Sequence, residues 1–243
     1  MRFYGLIGYP LGHSFSVPYF RNKFEKEGIE DALYSAFPLP SVEDFPILLK
    51  KERGLVGLNV TIPYKESIIP YLSELDETAK AIGAVNTLLI KDKGIKGYNT
   101  DCIGFEKSLL PLLAGKPYNA LILGTGGAAK AVAFVLNKLG CSFRYISRNP
   151  QPGEWAYGDL NQEIIKENQL IINCSPMGMH PHIESFPEIP YEFLNADSIL
   201  YDLIYNPEET IFLKKGKEAG AKTKNGLEML YLQAEAAWSI WNQ

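Results

Sequence analysis

Apolar and polar positions fall in blocks along this chain, and the blocks change character near its middle. Phe3 to Gly8 is an apolar run of strand length, and Phe15 to Glu27 brings Tyr19, Phe20 and Phe24 round at helical spacing. Ala32 to Phe37 predicts a second strand, Val42 to Arg53 a second helix and Leu55 to Val60 a third strand. Val85 to Lys91 and Gly94 to Tyr98 read as a hairpin-like pair turning at Lys93-Gly94. This is a βαβαβ half followed by extra strands. After Asp101 a helical pattern of Phe105, Leu109 and Leu112 runs into the break Gly115-Lys116-Pro117. Tyr118 to Leu123, Phe143 to Ser147, Leu170 to Asn173 and Ser198 to Asp202 then follow as short apolar runs separated by helical or loop segments. Such alternation is what a parallel sheet produces. In the last helix, Leu227 to Trp241, one stripe carries Leu227, Leu230, Ala234, Trp238 and Trp241.

The expected fold is α/β, with two α/β domains flanking a cleft; no internal repeat or low-complexity tract argues otherwise. The 243 residues, 46% of them hydrophobic, can bury one large core or two smaller ones. Lys and Arg number 24 against 28 Asp and Glu, a formal charge of -4. No basic excess points to a nucleic acid or an anionic membrane. Cys102, Cys141 and Cys174 match no zinc spacing and read as small, reduced core residues. The opening MRFYGLIGYPLGHS is broken by Gly5, Gly8 and Pro10, which suits neither a signal peptide nor a membrane span, so a cytoplasmic location is expected. His13 resembles a turn residue more than a base, and His180 and His182 fit no metal pattern, so no metal is assigned.

LILGTGGAAKAVAFVL, Leu121 to Leu136, is a strand running through Gly124, Gly126, Gly127, Ala128 and Ala129 into a helix. This is the G-x-G-x-x-A dinucleotide fingerprint in its strand-turn-helix context, where glycines permit close approach and the helix N-terminus meets a pyrophosphate. A domain built for NAD would place an acid at the end of the next strand to bind the ribose 2′-hydroxyl. Here that strand ends Tyr145-Ile146-Ser147-Arg148-Asn149. Arg148 offers a cation and a planar donor fork to a 2′-phosphate, which favours NADP over NAD; an ordinary solvated arginine is the alternative.

In the first half, polar residues gather at strand ends and turns: Ser14 and Ser16, Asn59 and Thr61, Lys65, Asn86 and Thr87, then Asn99, Thr100 and Asp101. Loops at one edge of an α/β sheet are where ligands bind, and hydroxyls, amides, one acid and one lysine suit a small polyhydroxylated anion. Taken singly, Ser14 or Ser16 would serve equally as a helix N-cap, Asn86 and Thr87 as turn formers, and Asn99 or Asp101 as caps.

Taken together and in order, the chain resembles the shikimate dehydrogenase family along nearly its whole length. The matching pieces are Gly8-Tyr9-Pro10 with His13 to Ser16, Gly57 to Pro63 with Lys65, Gly83 to Thr87, and Asn99-Thr100-Asp101 with Gly104. They continue with Gly124 to Ala129, Asn173 to Met179, Asp202 to Pro207, and Gly226 to Leu230 with Gln233-Ala234. The resemblance implies a substrate-binding and catalytic domain over 1–101, an NADP-binding Rossmann-type domain over 102–226, and a C-terminal helix, 227–243, returning to the first. It implies that Ser14 and Ser16 bind the substrate carboxylate, that Thr61, Asn86, Asp101 and Gln233 hold its hydroxyls with Asn59 in the same set, and that Tyr205 closes over it. Lys65 and Asp101 would be the catalytic pair, acting on the ketone of 3-dehydroshikimate to give shikimate. Gly124, Gly126, Gly127 and Ala128 would take the pyrophosphate, Ser147 and Arg148 the 2′-phosphate, and Leu203 and Gly226 the nicotinamide end.

Two departures stand out. The family commonly has Asn-Arg-Thr where this chain has Ser147-Arg148-Asn149, and Gln151 to Asp159 lacks the second basic residue that many relatives carry. Three rivals are weighed against this reading. A quinate/shikimate dehydrogenase would use a broader range of substrates and often NAD, a methylenetetrahydrofolate dehydrogenase would lack the paired serines, and a silent metabolite-binding paralogue would have lost Lys65 or Asp101. Small-molecule substrate, NADP, and a monomer or homodimer complete the expectation.

Overall fold

The computed structural model describes residues 1–12 and 14–243, so His13 lies outside the described residues. The chain divides into two compact units, Met1–Thr100 with Ala234–Gln243, and Asp101–Gln233. Each is built on its own six-stranded sheet.

In the first unit the strands are β1 (Arg2–Gly8), β2 (Ala32–Pro38), β3 (Leu55–Val60), β4 (Glu74–Leu75), β5 (Thr87–Lys91) and β6 (Gly94–Tyr98). Their order is β2-β1-β3-β5-β6-β4. β1 lies parallel to β2 and β3, and β5 runs antiparallel to both β3 and β6, the hairpin expected from the Lys93-Gly94 turn. The helices are α1 (Ser16–Glu27), α2 (Phe45–Lys51) and α3 (Glu77–Ile82). The segment expected to be one helix from Val42 to Arg53 is a 3₁₀ turn, Val42–Asp44, followed by the shorter α2, with Pro46 in its first turn. Proline there costs no hydrogen bond, because the first helical N–H groups have no partner within the helix. Asp76 starts α3 by accepting a hydrogen bond from the Ala79 N–H at 2.7 Å, and Gly83 ends it at φ 71°, a left-handed stop suited to glycine.

β1 is buried on both faces. Ile7 packs with Phe45, Leu58, Val60 and Tyr64 on one side; Tyr4 and Leu6 pack with Phe20, Phe24 and Tyr34 on the other. Trp241, at the end of the C-terminal helix, closes this second face. Its ring stacks on Tyr4 with centroids 4.9 Å apart, and its Nε1 donates to the Leu88 carbonyl at 2.9 Å. The indole lies flat against Gly57, where a Cβ would run into the ring. Lys23 on α1 adds a charged tie, bridging Glu27 at 2.7 Å and Glu235 at 2.8 Å.

The second unit contains α4 (Asp101–Leu113), β7 (Ala120–Leu123), α5 (Gly127–Lys138), β8 (Phe143–Ser147), β9 (Trp155–Ala156), α6 (Gln162–Glu167), β10 (Leu170–Asn173), β11 (Ile199–Asp202), α7 (Ile211–Glu218), β12 (Lys222–Lys224) and the start of α8 (Leu227–Trp241). All strand pairs are parallel, in the order β12-β11-β10-β7-β8-β9. Read from β9, the order is 3-2-1-4-5-6, the doubly wound dinucleotide-binding arrangement, with its switch point between β7 and β10. β7 and β10 are apolar and buried at every position, as strands covered on both faces must be. Among the described residues no helix is long and apolar enough to cross a membrane.

Gly57→Ala should displace Trp241 and break its bond to Leu88, costing about 1–3 kcal/mol. Thermal melting together with a red shift of tryptophan emission would check this; an unchanged melting point would show that the indole is not held by that contact.

Candidate active site

In the first unit, parallel pairing brings the carboxyl ends of β1, β2 and β3 to one edge. Asn59 sits near the end of β3 in register with Thr87 on β5. Its Oδ1 accepts from the Tyr34 hydroxyl at 2.8 Å, and its Nδ2 donates to the Asn86 carbonyl and to Thr87 Oγ1, both at 3.3 Å. The Asn86 amide is held likewise: Oδ1 accepts from the Thr100 N–H at 2.7 Å and Nδ2 donates to Thr100 Oγ1 at 2.9 Å. Asn99 donates to the Ala84 carbonyl at 2.9 Å. All of these side chains are buried, and none of the buried polar side-chain atoms among the described residues lacks a partner. Two amides pinned at both ends make a rigid polar platform with no freedom to flip.

Ser14 and Ser16 are half-buried at the start of α1. Ser14 Oγ accepts from the Ser16 N–H at 3.2 Å, while the N-cap position belongs to Phe15, which provides no side-chain acceptor. Neither serine is therefore the N-cap of α1. Ser16 also reaches the Tyr34 phenol, whose pKa burial drives far up and the serine contact pulls back. Thr61 closes onto β1, its N–H bonded to the Ile7 carbonyl at 2.9 Å, and its methyl group lies against Gly8.

Lys65 lies in the turn after β3. Buried Tyr64 anchors that turn through its hydroxyl to the Leu39 carbonyl, and the Lys65 carbonyl accepts from the Val85 N–H at 2.7 Å, one residue before Asn86. The lysine side chain is half-buried, beside an exposed Glu66.

The remaining residues belong to the second unit. Asp101 is the first residue of α4 and is buried. One turn on, Gly104 touches α8 so closely that a Cβ would collide with the Met229 carbonyl and press on Gln233. Buried Gln233 donates to the Leu230 carbonyl at 2.9 Å, so α4 carries its carboxylate beside the helix that carries this amide. Tyr205 is half-buried in the loop after β11, its phenol raised by burial.

At the end of β7, Gly124 has φ 108° and lies against the Ser175 backbone, where a Cβ would come within 3.3 Å of its nitrogen. Gly126 caps α5 without any side-chain acceptor, and a Cβ there would meet open space. Gly127 and Ala128 open the helix and are half-buried. The chain's own packing does not require a glycine at 126, whereas an anion on the helix N-terminus does require that space and those N–H donors. Ser147 ends β8 and accepts from the Asn149 N–H at 3.3 Å; Arg148 beside it is exposed, near enough to Tyr157 to be felt electrostatically. Arg144, two turns of the pleat earlier, is instead committed to Trp155 and the Gly153 carbonyl. These donors fit a dinucleotide with a 2′-phosphate. Leu203 and Gly226 meet directly, for a Cβ at Gly226 would strike the Leu203 carbonyl.

Residues 6–88 match the family model described as the shikimate dehydrogenase substrate binding domain. Over 256 residues the chain is 40% identical to a shikimate dehydrogenase (NADP(+)) of Methanococcus maripaludis, covering 98% of this chain and 90% of that protein. The chain belongs to the shikimate dehydrogenase family. Among solved structures it is similar to shikimate dehydrogenase from Aquifex aeolicus, with TM-score 0.89 and 36% identity over 100% of this chain and 92% of that one. It is also similar to a shikimate 5-dehydrogenase from Thermus thermophilus in complex with NADP(H) and shikimate, with TM-score 0.86 and 32% identity over 99% and 93% of the two chains. The span of the family model includes Ser14, Ser16, Asn59, Thr61, Lys65 and Asn86, so the polar platform lies within the family's substrate-binding region.

Two groups escaped the sequence reading as site residues. Tyr34 occupies an inward position on β2, indistinguishable by pattern from a core aromatic. Asp202 and Thr210 had one usable signal, a carboxylate closing the buried run Ile199-Leu200-Tyr201. Asp202 is fully buried, and burial raises its pKa from the ordinary 3.8 to about 6 although Thr210, the Ile204 N–H and Asn173 all donate to it. Cys174 and Tyr191 feel its charge, and both are pushed up by burial, away from this range. Among the described residues no three His, Cys, Asp or Glu side chains are placed to hold a metal ion.

The sign of the linkage follows from the raised value: the folded state holds the Asp202 proton more tightly than the unfolded chain. Stability from this group is present below pH 4 and is lost as pH rises through about 6. The difference corresponds to roughly 3 kcal/mol. Urea titrations from pH 4 to 7 should show this fall in the wild type and a flatter profile in Asp202→Asn; parallel profiles would contradict it.

Proposed function

We propose that this protein catalyses the reversible NADPH-dependent reduction of 3-dehydroshikimate to shikimate, a step of aromatic amino-acid biosynthesis, and that it works in the cytoplasm. The observation that carries the reading is the likeness over nearly the full length to enzymes of this name, spanning the substrate-binding region and the dinucleotide unit alike.

In this reading the polar residues named above hold the ring. Ser14 and Ser16 receive the carboxylate, and Thr61, Asn86, Asp101 and Gln233 take the hydroxyls, with Tyr205 over them. Asn59, pinned between Tyr34 and Thr87, keeps the platform in shape. Bound NADPH supplies a hydride to the ketone carbon. Negative charge then develops on the ketone oxygen; Lys65 and Asp101 form the catalytic pair, the ammonium stabilising that charge and the carboxyl group taking part in proton delivery. Gly124, Gly126, Gly127 and Ala128 bind the pyrophosphate, Ser147 and Arg148 the 2′-phosphate, and Leu203 and Gly226 border the nicotinamide.

The direct test is NADPH consumption with 3-dehydroshikimate, repeated with NADH and with dehydroquinate. Absence of turnover with the first pair would overturn the reading, and equal rates with NADH would remove the cofactor preference. Arg148→Ala should weaken NADPH binding by about 1.5–3 kcal/mol and leave NADH binding nearly unchanged; equal losses would take the arginine off the 2′-phosphate. Lys65→Ala should lower kcat on the order of 10²–10³-fold, ~2.7–4 kcal/mol of barrier, with little change in shikimate affinity measured by titration. Near-normal kcat would exclude Lys65 from the chemistry.

A further inference from the structure

One buried carboxylate in the second unit has no part in that chemistry, yet three loops depend on it. Asp202 ends β11 with Oδ2 accepting from Thr210 Oγ1 at 2.6 Å, and Oδ1 accepting from the Ile204 N–H and from Asn173 Nδ2, both at 3.0 Å. Asn173 ends the neighbouring strand β10, in register with Asp202. Its Oδ1 accepts from the Ser175 N–H at 3.0 Å and from Ser175 Oγ at 2.7 Å, and its Nδ2 also donates to the Met177 carbonyl at 3.2 Å. The backbone completes the bracing. The Leu203 N–H bonds the Asn173 carbonyl, and the Gly226 N–H bonds the Ile204 carbonyl, both at 3.0 Å.

We propose that Asp202 is a positioning residue for the nicotinamide half of the cofactor site: its carboxylate fixes Leu203 to Tyr205 against Gly226 and against the Ser175 loop. The inference rests on the NADP reading. None of these hydrogen bonds reaches the end of β8, where Ser147 and Arg148 stand, so the 2′-phosphate end is held without Asp202, although the Ser175 loop also lies against Gly124. A carboxylate suits the site because its two oxygens accept from three donors; an asparagine would keep the Oδ1 bonds but turn an N–H₂ toward Thr210 Oγ1, which already accepts from the Leu213 N–H. Burial of so costly a group is tolerated only where its partners are complete, so the loops cannot relax without leaving it unpaired.

The test uses the whole enzyme at pH 8, where Asp202 is ionised, with Asp202→Asn, Thr210→Val and the conservative Thr210→Ser. For each, Kd is measured for adenosine 2′,5′-bisphosphate and for NADP, together with kcat. Asp202→Asn and Thr210→Val should bind the bisphosphate within about twofold of wild type while NADP affinity and kcat fall tenfold or more, and Thr210→Ser should recover both. Parallel loss of both ligands, or unchanged kcat in the two disruptive variants, overturns the inference. If Asp202→Asn does not fold, Thr210→Val decides, since it leaves the buried Asp202 Oδ2 without its donor while Thr210→Ser restores that donor. A wild type that binds no bisphosphate overturns the NADP reading itself, a result distinct from either.

Discussion

A buried polar group must find its partners inside the protein, and that requirement shapes both units. Each places such groups where its strands meet loops: Asn59 near the carboxyl end of β3 and Asn86 just before β5 in the first, Asn173 and Asp202 at the carboxyl ends of β10 and β11 in the second. At those ends the sheet's own ladder stops and loops begin. Satisfying an amide or carboxylate there can be done only by the loops, so the loops lose their freedom. Asn59 ties β2 to the segment before β5, and Asp202 ties the loop after β11 to the start of α7.

The consequence for chemistry is preorganisation. Hydride transfer requires the ring carbon and the nicotinamide to meet in a narrow range of distance and angle, and groups that must reorganise during the reaction add to its barrier. The family's substrate-binding region here presents amides already oriented by protein donors and acceptors. Ser14 and Ser16, by contrast, are half-buried, with Ser14 accepting from the Ser16 N–H and Ser16 reaching the Tyr34 phenol.

Glycines set a second constraint, that of close approach. Gly57 admits the Trp241 ring, Gly104 lets α4 meet α8, and Gly226 lets its backbone meet Leu203. Each contact joins segments remote in sequence, and each would be lost to a single methyl group. Gly126 is different: nothing in the fold occupies the space a Cβ would take there.

Much of the architecture was legible in the sequence because it depends on local periodicity. Leu55 to Val60, Phe143 to Ser147 and Leu170 to Asn173 are strands over those spans, and Leu227 to Trp241 is one helix, since runs of apolar residues bounded by breakers leave few alternatives. The glycine fingerprint announced a dinucleotide unit for the same reason: motif, strand and helix are contiguous. The two-residue strands Glu74–Leu75 and Trp155–Ala156 and the polar edge strand Lys222–Lys224 were invisible, because their neighbours and not their own side chains make them strands. The helix expected at Val42 to Arg53 was shortened by a 3₁₀ turn and a proline that the pattern does not weigh. The tertiary structure alone decided that Tyr34 meets Asn59, that Thr210 meets Asp202 and that the end of α8 groups with the first unit while its start groups with the second. Sequence determines which residues are apolar, polar or turn-forming along the chain; which polar residue satisfies which is settled only when burial removes water as the alternative partner.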